Sequence, residues 1–107
     1  MPADRMASPE LKVLRDVVEQ AVRLGADSIE VEYKDGFEEV FAMRGSMGVG
    51  ISRFASGGPE AKVLRRELQA MTRKKQRVVV DNAQYDLRAR TYESFGEYAF
   101  RVAVRRI

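Results

Sequence analysis

A chain of 107 residues with 45% hydrophobic and 33% charged side chains has the size and apolar content of one small domain with a heavily charged surface. It contains no cysteine, histidine or tryptophan, which excludes disulfides, thiolate and imidazole metal sites, a cysteine nucleophile and a serine–histidine–aspartate triad. The net charge of +3 divides unevenly: residues 1–54 hold seven basic against ten acidic side chains, net −3, and residues 55–107 twelve against six, net +6.

Met1 to Ala7 reads as a flexible N-terminus without the apolar stretch of a signal peptide. No apolar run approaches the ~20 residues of a membrane span. A single domain over residues 1–107, cytoplasmic and without membrane contact, is therefore expected.

Ser8-Pro9-Glu10 has the form of a helix start: a capping hydroxyl, a proline at the first helical position and an acid in the first turn. Leu11, Leu14, Val18, Ala21 and Val22 then form an apolar stripe, and Gly25 terminates the helix. Ile29 to Lys34 alternates with period two, and Asp35-Gly36 is a type I′ hairpin signal leading to a return strand from Phe37 to Met43. A two-residue loop there pairs Lys34 with Phe37, Glu32 with Glu39, Val31 with Val40 and Ile29 with Ala42. One face of this hairpin then carries Ile29, Val31, Tyr33, Val40 and Ala42, suited to a helix-covered core. The other mixes Glu30, Glu32, Lys34 and Glu39 with Phe37, Phe41 and Met43.

Arg44 to Gly48 reads as a loop and Val49 to Phe54 as a third strand. Ser56-Gly57-Gly58-Pro59-Glu60 opens a second helix to about Arg73, with Val63, Leu64, Leu68 and Met71 as its stripe and Ala61 and Glu67 flanking it. After the basic run Arg73 to Arg77, Val78-Val79-Val80 reads as a strand buried on both faces. Tyr85 to Tyr92 and Glu97 to Arg105 alternate around Glu93-Ser94-Phe95-Gly96. That hairpin places Tyr85, Leu87, Ala89, Tyr98, Phe100, Val102 and Val104 on one face, and Arg88, Arg90, Arg101 and Arg105 on the other. Residues 78–92 read equally as one bent strand or as two with a break at Asp81-Asn82. The fold expected is α+β: a two-layer sandwich with a mostly antiparallel sheet of five or six strands and two helices on one face.

Pro9 to Arg15 matches Pro59 to Arg65 at six of seven positions. This admits a duplicated αβββ plan, or simply two helices opened by the same favourable chemistry.

Four features bear on function. Gly45-Ser46-Met47-Gly48-Val49-Gly50 lacks the helix that must follow a phosphate loop. Ser56-Gly57-Gly58 before a helix is an anion seat only in the sense that every helix start is one. Glu30, Glu32 and Glu39 cluster, with Glu32 directly opposite Glu39, a repulsion that needs neutralising. A hard cation, an acid–base pair and the Arg88, Arg90, Arg101 and Arg105 face all offer this, and the arginine face requires no unseen ligand. No catalytic residue, metal or cofactor is therefore assigned. Finally, Arg65, Arg66, Arg73, Lys74, Lys75 and Arg77, with Tyr92, Phe95 and Tyr98 nearby, form a nucleic-acid candidate of the phosphate-plus-stacking kind.

Leu24-Gly25-Ala26-Asp27-Ser28-Ile29-Glu30-Val31-Glu32-Tyr33, followed by Gly36 to Val40 and Gly48 to Ile51, resembles the N-terminal α/β domain of TldD/PmbA-type proteins over residues 11–54. The resemblance implies a similar α/β substructure and no peptidase activity, because the histidines and cysteine of that family's zinc site have no counterpart here.

The leading expectation is a non-enzymatic binding or assembly module acting through the open sheet face, as a homodimer. The interface residues are Glu30, Glu32, Phe37, Glu39, Phe41, Met43, Arg88, Arg90, Arg101 and Arg105. Nucleic-acid binding by the basic C-terminal half ranks second, and an enzyme built on the three glutamates last.

Overall fold

The computed structural model describes residues 11–107. The flexible segment read at 1–7 and the Ser8-Pro9-Glu10 cap lie outside these residues, but the helix expected to run on through Leu11 starts only at Val13, with Lys12 as its N-cap. Eight elements follow in the order α1 (Val13–Arg23), β1 (Ser28–Lys34), β2 (Phe37–Arg44), β3 (Met47–Ala55), α2 (Pro59–Arg73), β4 (Gln76–Val80), β5 (Ala83–Ser94) and β6 (Glu97–Arg106). The six strands make one antiparallel sheet in the order β3-β2-β1-β6-β5-β4, and both helices pack on one side of it. This is the expected α+β two-layer arrangement.

The core lies between the layers. Leu14, Val17, Val18 and Ala21 of α1 and Leu64, Leu68 and Met71 of α2 meet Ile29, Val31, Val40, Leu87, Ala89 and Val102 from the sheet. Burying these aliphatic surfaces is the main force holding the helices to the strands.

The helix ends are secured in two different ways. α1 stops in a Schellman motif: the Gly25 N–H donates to the Val22 carbonyl at 2.9 Å and the Ala26 N–H to the Ala21 carbonyl at 3.0 Å. Gly25 takes the left-handed φ of +78° that the motif requires. At its other end Lys12 offers no side-chain cap. The Glu67 carboxylate of α2 does so instead, accepting the Lys12 N–H at 2.5 Å and the Leu14 N–H at 2.9 Å. Helix α2 begins, as expected, with Gly58 as N-cap and Pro59 as its first residue.

The Asp35-Gly36 hairpin has the expected register in full, Lys34 opposite Phe37 through Ile29 opposite Ala42, and both loop residues take positive φ as a type I′ turn demands. Phe95-Gly96 makes a second such turn. Asp81-Asn82 makes a third and divides residues 78–92 into β4 and β5.

Three other readings need correction. Arg44 to Gly48 is not a loop: Gly45-Ser46 alone turns the chain, with Gly45 at φ +60°, and Met47 and Gly48 already belong to β3. Val78-Val79-Val80 is not buried on both faces, because β4 is an edge strand whose helix-facing Val78 and Val80 are buried while Val79 is 48% exposed. Tyr98 lies on the core-facing side but at the hairpin tip, beyond the helices, and is 79% exposed.

The element order repeats as αβββ–αβββ. The strand order does not make the halves equivalent: β1 and β4 stand three antiparallel steps apart and run in opposite directions, while both helices share one face. No rotation within the sheet plane relates the two units.

Candidate functional site

The strand registers assemble the open face, opposite the helices, into cross-strand rows. One row runs Gly48, Met43, Ser28, Ala103, Arg88 from β3 to β5. The next runs Gly50, Phe41, Glu30, Arg101, Arg90. A third holds Arg53, Glu39 and Glu32, with Tyr92 beyond them on β5. Because β-strand side chains alternate, these residues project to the same side. The ten residues assigned to an interface from sequence thus share one face, Arg105 at its far side opposite Asp86.

The apolar members of this face are half-buried, and β3 explains how. A Cβ on Gly50 would stand 3.8 Å from the Phe41 ring, and one on Gly48 would strike the Met43 sulfur. Phe41 and Met43 therefore lie over bare backbone, and a Cβ at position 48 would displace the Met43 side chain. The Arg53 guanidinium covers the Phe37 ring at 3.8 Å from its centroid. A bulge at Ile51, which leaves Val40 opposite Ser52 and Phe41 opposite Gly50, keeps Gly50 and Arg53 both on this side of the sheet.

Two of the three glutamates, Glu30 and Glu39, meet arginines of the same chain. Arg101 pairs with Glu30 through Nε and Nη2. Arg53 approaches Glu39 at 3.5 Å. The Tyr92 hydroxyl stands 3.2 Å from Glu30 and 3.1 Å from Glu32, bridging two carboxylates that would otherwise repel. Burial and those two neighbouring charges push the Tyr92 phenol well above the ordinary tyrosine range. The arginine face thus supplies one of the counter-charges, Arg101. Arg53 supplies another and the neutral Tyr92 hydroxyl only a hydrogen bond, and neither was expected in that role. Each sits across the sheet from its partner, so only strand order exposes the match. Glu32 and Glu39 border separate shallow depressions, and none of the described depressions encloses two of the three glutamates.

Arg88, Arg90 and Arg105 have no carboxylate within 4.0 Å among the described residues. The residues of the nucleic-acid candidate are dispersed. Arg65 reaches under the helix layer, holding the Glu38 carboxylate at 3.2 Å and the Ser56 carbonyl at 3.2 Å. Glu38 is 7% exposed and also accepts the Ser56 hydroxyl at 2.6 Å, so Arg65 is committed to a buried charge. Lys75 and Arg77 both pair with Asp86, at 3.5 and 3.1 Å, and Arg77 holds the Asp86 carboxyl below the usual carboxylate range. Arg66 sits exposed on α2, on the opposite side of the sheet from Arg77, and Arg73 and Lys74 lie at the α2–β4 connection.

Scanned against protein-family models and searched against curated protein sequences, the chain gives no match.

Proposed function

We propose that this protein is a non-enzymatic binding and assembly module whose contact surface is the open sheet face, with a second copy of the chain as its partner. The observation that carries this reading is the row Gly50–Phe41–Glu30–Arg101–Arg90 and its neighbours, in which half-buried apolar side chains lie beside the ion pairs Glu30–Arg101 and Glu39–Arg53. Compensated charges cost less to remove from water than free ones, and the exposed faces of Phe37, Phe41 and Met43 gain by leaving it. A twofold axis near Phe41 brings these apolar groups of two copies together, with the ion pairs as rim and the arginines of β5 as a basic margin.

The test is light scattering of the wild type and of Phe41→Glu. A dimer that becomes a monomer on substitution supports the reading. A wild type that is monomeric, or a variant that remains dimeric, overturns it. Nucleic-acid binding stays second, since Arg65, Lys75 and Arg77 are engaged by carboxylates of the same chain.

A further inference from the structure

Strand β5 is twelve residues long, but β4 pairs only with Ala83 to Leu87. Among the described residues, nothing pairs with the outer edge of Arg88 to Ser94. The two-residue turn at Phe95-Gly96 makes Ser94 and Glu97 a hydrogen-bonded pair. Even-numbered residues of β5 therefore exchange N–H and C=O groups with β6, in keeping with the Ile107 N–H donating to the Gln84 carbonyl at 3.0 Å. Ala89, Thr91 and Glu93 turn their N–H and C=O groups to this edge, where Thr91 and Glu93 are exposed and Ala89 is covered, only 3% exposed.

This edge is also basic on the open face. Arg88 and Arg90 flank Ala89 and have no carboxylate partner among the described residues, and Arg90 stands directly opposite Arg101, which is itself paired with Glu30. A shallow depression joins Arg88, Arg90 and Arg101, floored by Ser28 and Ala103, and reaches round the edge to Thr72 of α2. Arg73 and Lys74 follow Thr72 in the chain. Like charges opposite each other in a sheet are unfavourable, and an anion beside them relieves the repulsion.

We infer that the edge from Arg88 to Ser94 is a docking site for an extended acidic peptide, which adds to the sheet as a seventh strand in line with β4. A peptide is selected by the alternating donors and acceptors of Thr91 and Glu93, which match another polypeptide backbone and have no counterpart in a nucleic-acid strand. Its side chains alternate: acids on the open face beside Arg88 and Arg90, small or β-branched groups on the other beside Ala89 and Thr91. The site stands three strand spacings, about 14 Å, from Phe41. It rests on the open face being a binding surface and not on the dimer.

The test uses the full chain and a fluorescein-labelled peptide copying residues 28–34, whose sequence Ser-Ile-Glu-Val-Glu-Tyr-Lys has this alternation. With light scattering of the same samples reporting separately whether the chain is monomeric or dimeric, fluorescence anisotropy is expected to show saturable binding. Combining Arg88→Glu with Arg90→Glu is expected to weaken it at least about tenfold. Thr91→Pro removes an outward N–H without changing charge and should weaken it comparably. In the wild type, peptide should slow amide exchange at Thr91 and Glu93, a readout that needs no variant. Absence of saturable binding overturns the inference. So does exchange at those two amides unchanged by peptide, a folded Thr91→Pro variant that binds as well as wild type, or equal competition by an oligothymidylate of the same charge.

Discussion

Replacing Glu67 by alanine should loosen the start of α1, although Glu67 belongs to α2. The carboxylate accepts two N–H groups, those of Lys12 and Leu14, that have no partner within their own helix. Losing an N-cap acceptor costs roughly 0.5–2 kcal/mol, and an anion at a helix N-terminus contributes about 0.3–1 kcal/mol through the dipole. The two effects overlap, and water can reach the Lys12 amide once the carboxylate is gone, so the expected loss is about 1.5–2 kcal/mol. At about 4–8 °C per kcal/mol for a domain of this size, the melting temperature should fall by roughly 6–16 °C. Glu67→Gln keeps one acceptor oxygen and should lose about half as much. Thermal denaturation followed by circular dichroism measures both, and amide exchange should accelerate at Lys12 and Leu14 ahead of the sheet. A Glu67→Ala protein no less stable than one carrying Arg66→Ala, an exposed change expected to fall within about 0.5 kcal/mol, would refute the cap as a source of stability.

Arg65→Ala should destabilise by about 1–3 kcal/mol, because Glu38 is left as a buried carboxylate with only the Ser56 hydroxyl. A double-mutant cycle with Glu38→Gln should return a coupling of about 1 kcal/mol, and a value under about 0.3 kcal/mol contradicts the pairing. Tyr92 holds its proton more tightly folded than unfolded, so its contribution is complete below the ordinary tyrosine pKa of about 10 and fades as pH rises beyond it. Urea midpoints should therefore drop more steeply above that pH for the wild type than for Tyr92→Phe, and parallel curves would count against the Glu30–Tyr92–Glu32 bridge.

What could be read in the sequence was local. Asp35-Gly36 forces a two-residue turn, and that turn sets the register of β1 on β2 without any other part of the chain. Alternation around Phe95-Gly96 likewise sorts Arg88, Arg90 and Arg101 from Leu87, Ala89 and Val102. Gly48 was read as part of a loop because its role is played across the sheet, where it leaves space for Met43 of the neighbouring strand. Three consecutive valines cannot distinguish a central strand from an edge strand covered on one side, and β4 proved to be the latter. Glu67 capping α1 from 53 residues away, and Arg65 reaching Glu38, depend on how the helices settle on the sheet. Glu38 alternates onto the helix-facing side, and this was the one available signal that its charge would need a partner. The open face was legible as a set of residues. Its internal pairing by Arg53 and Tyr92 was not, since that depends on β3 and β5 lying on opposite sides of the β2–β1–β6 centre.

The most direct test of the open face as an assembly surface is sedimentation equilibrium of the wild-type chain over about 1–100 µM, the range in which a modest dimer interface dissociates. The predicted result is a reversible monomer–dimer equilibrium that shifts wholly to monomer with Phe41→Glu while the melting temperature stays near that of the wild type. A single monomeric species throughout that range would contradict it.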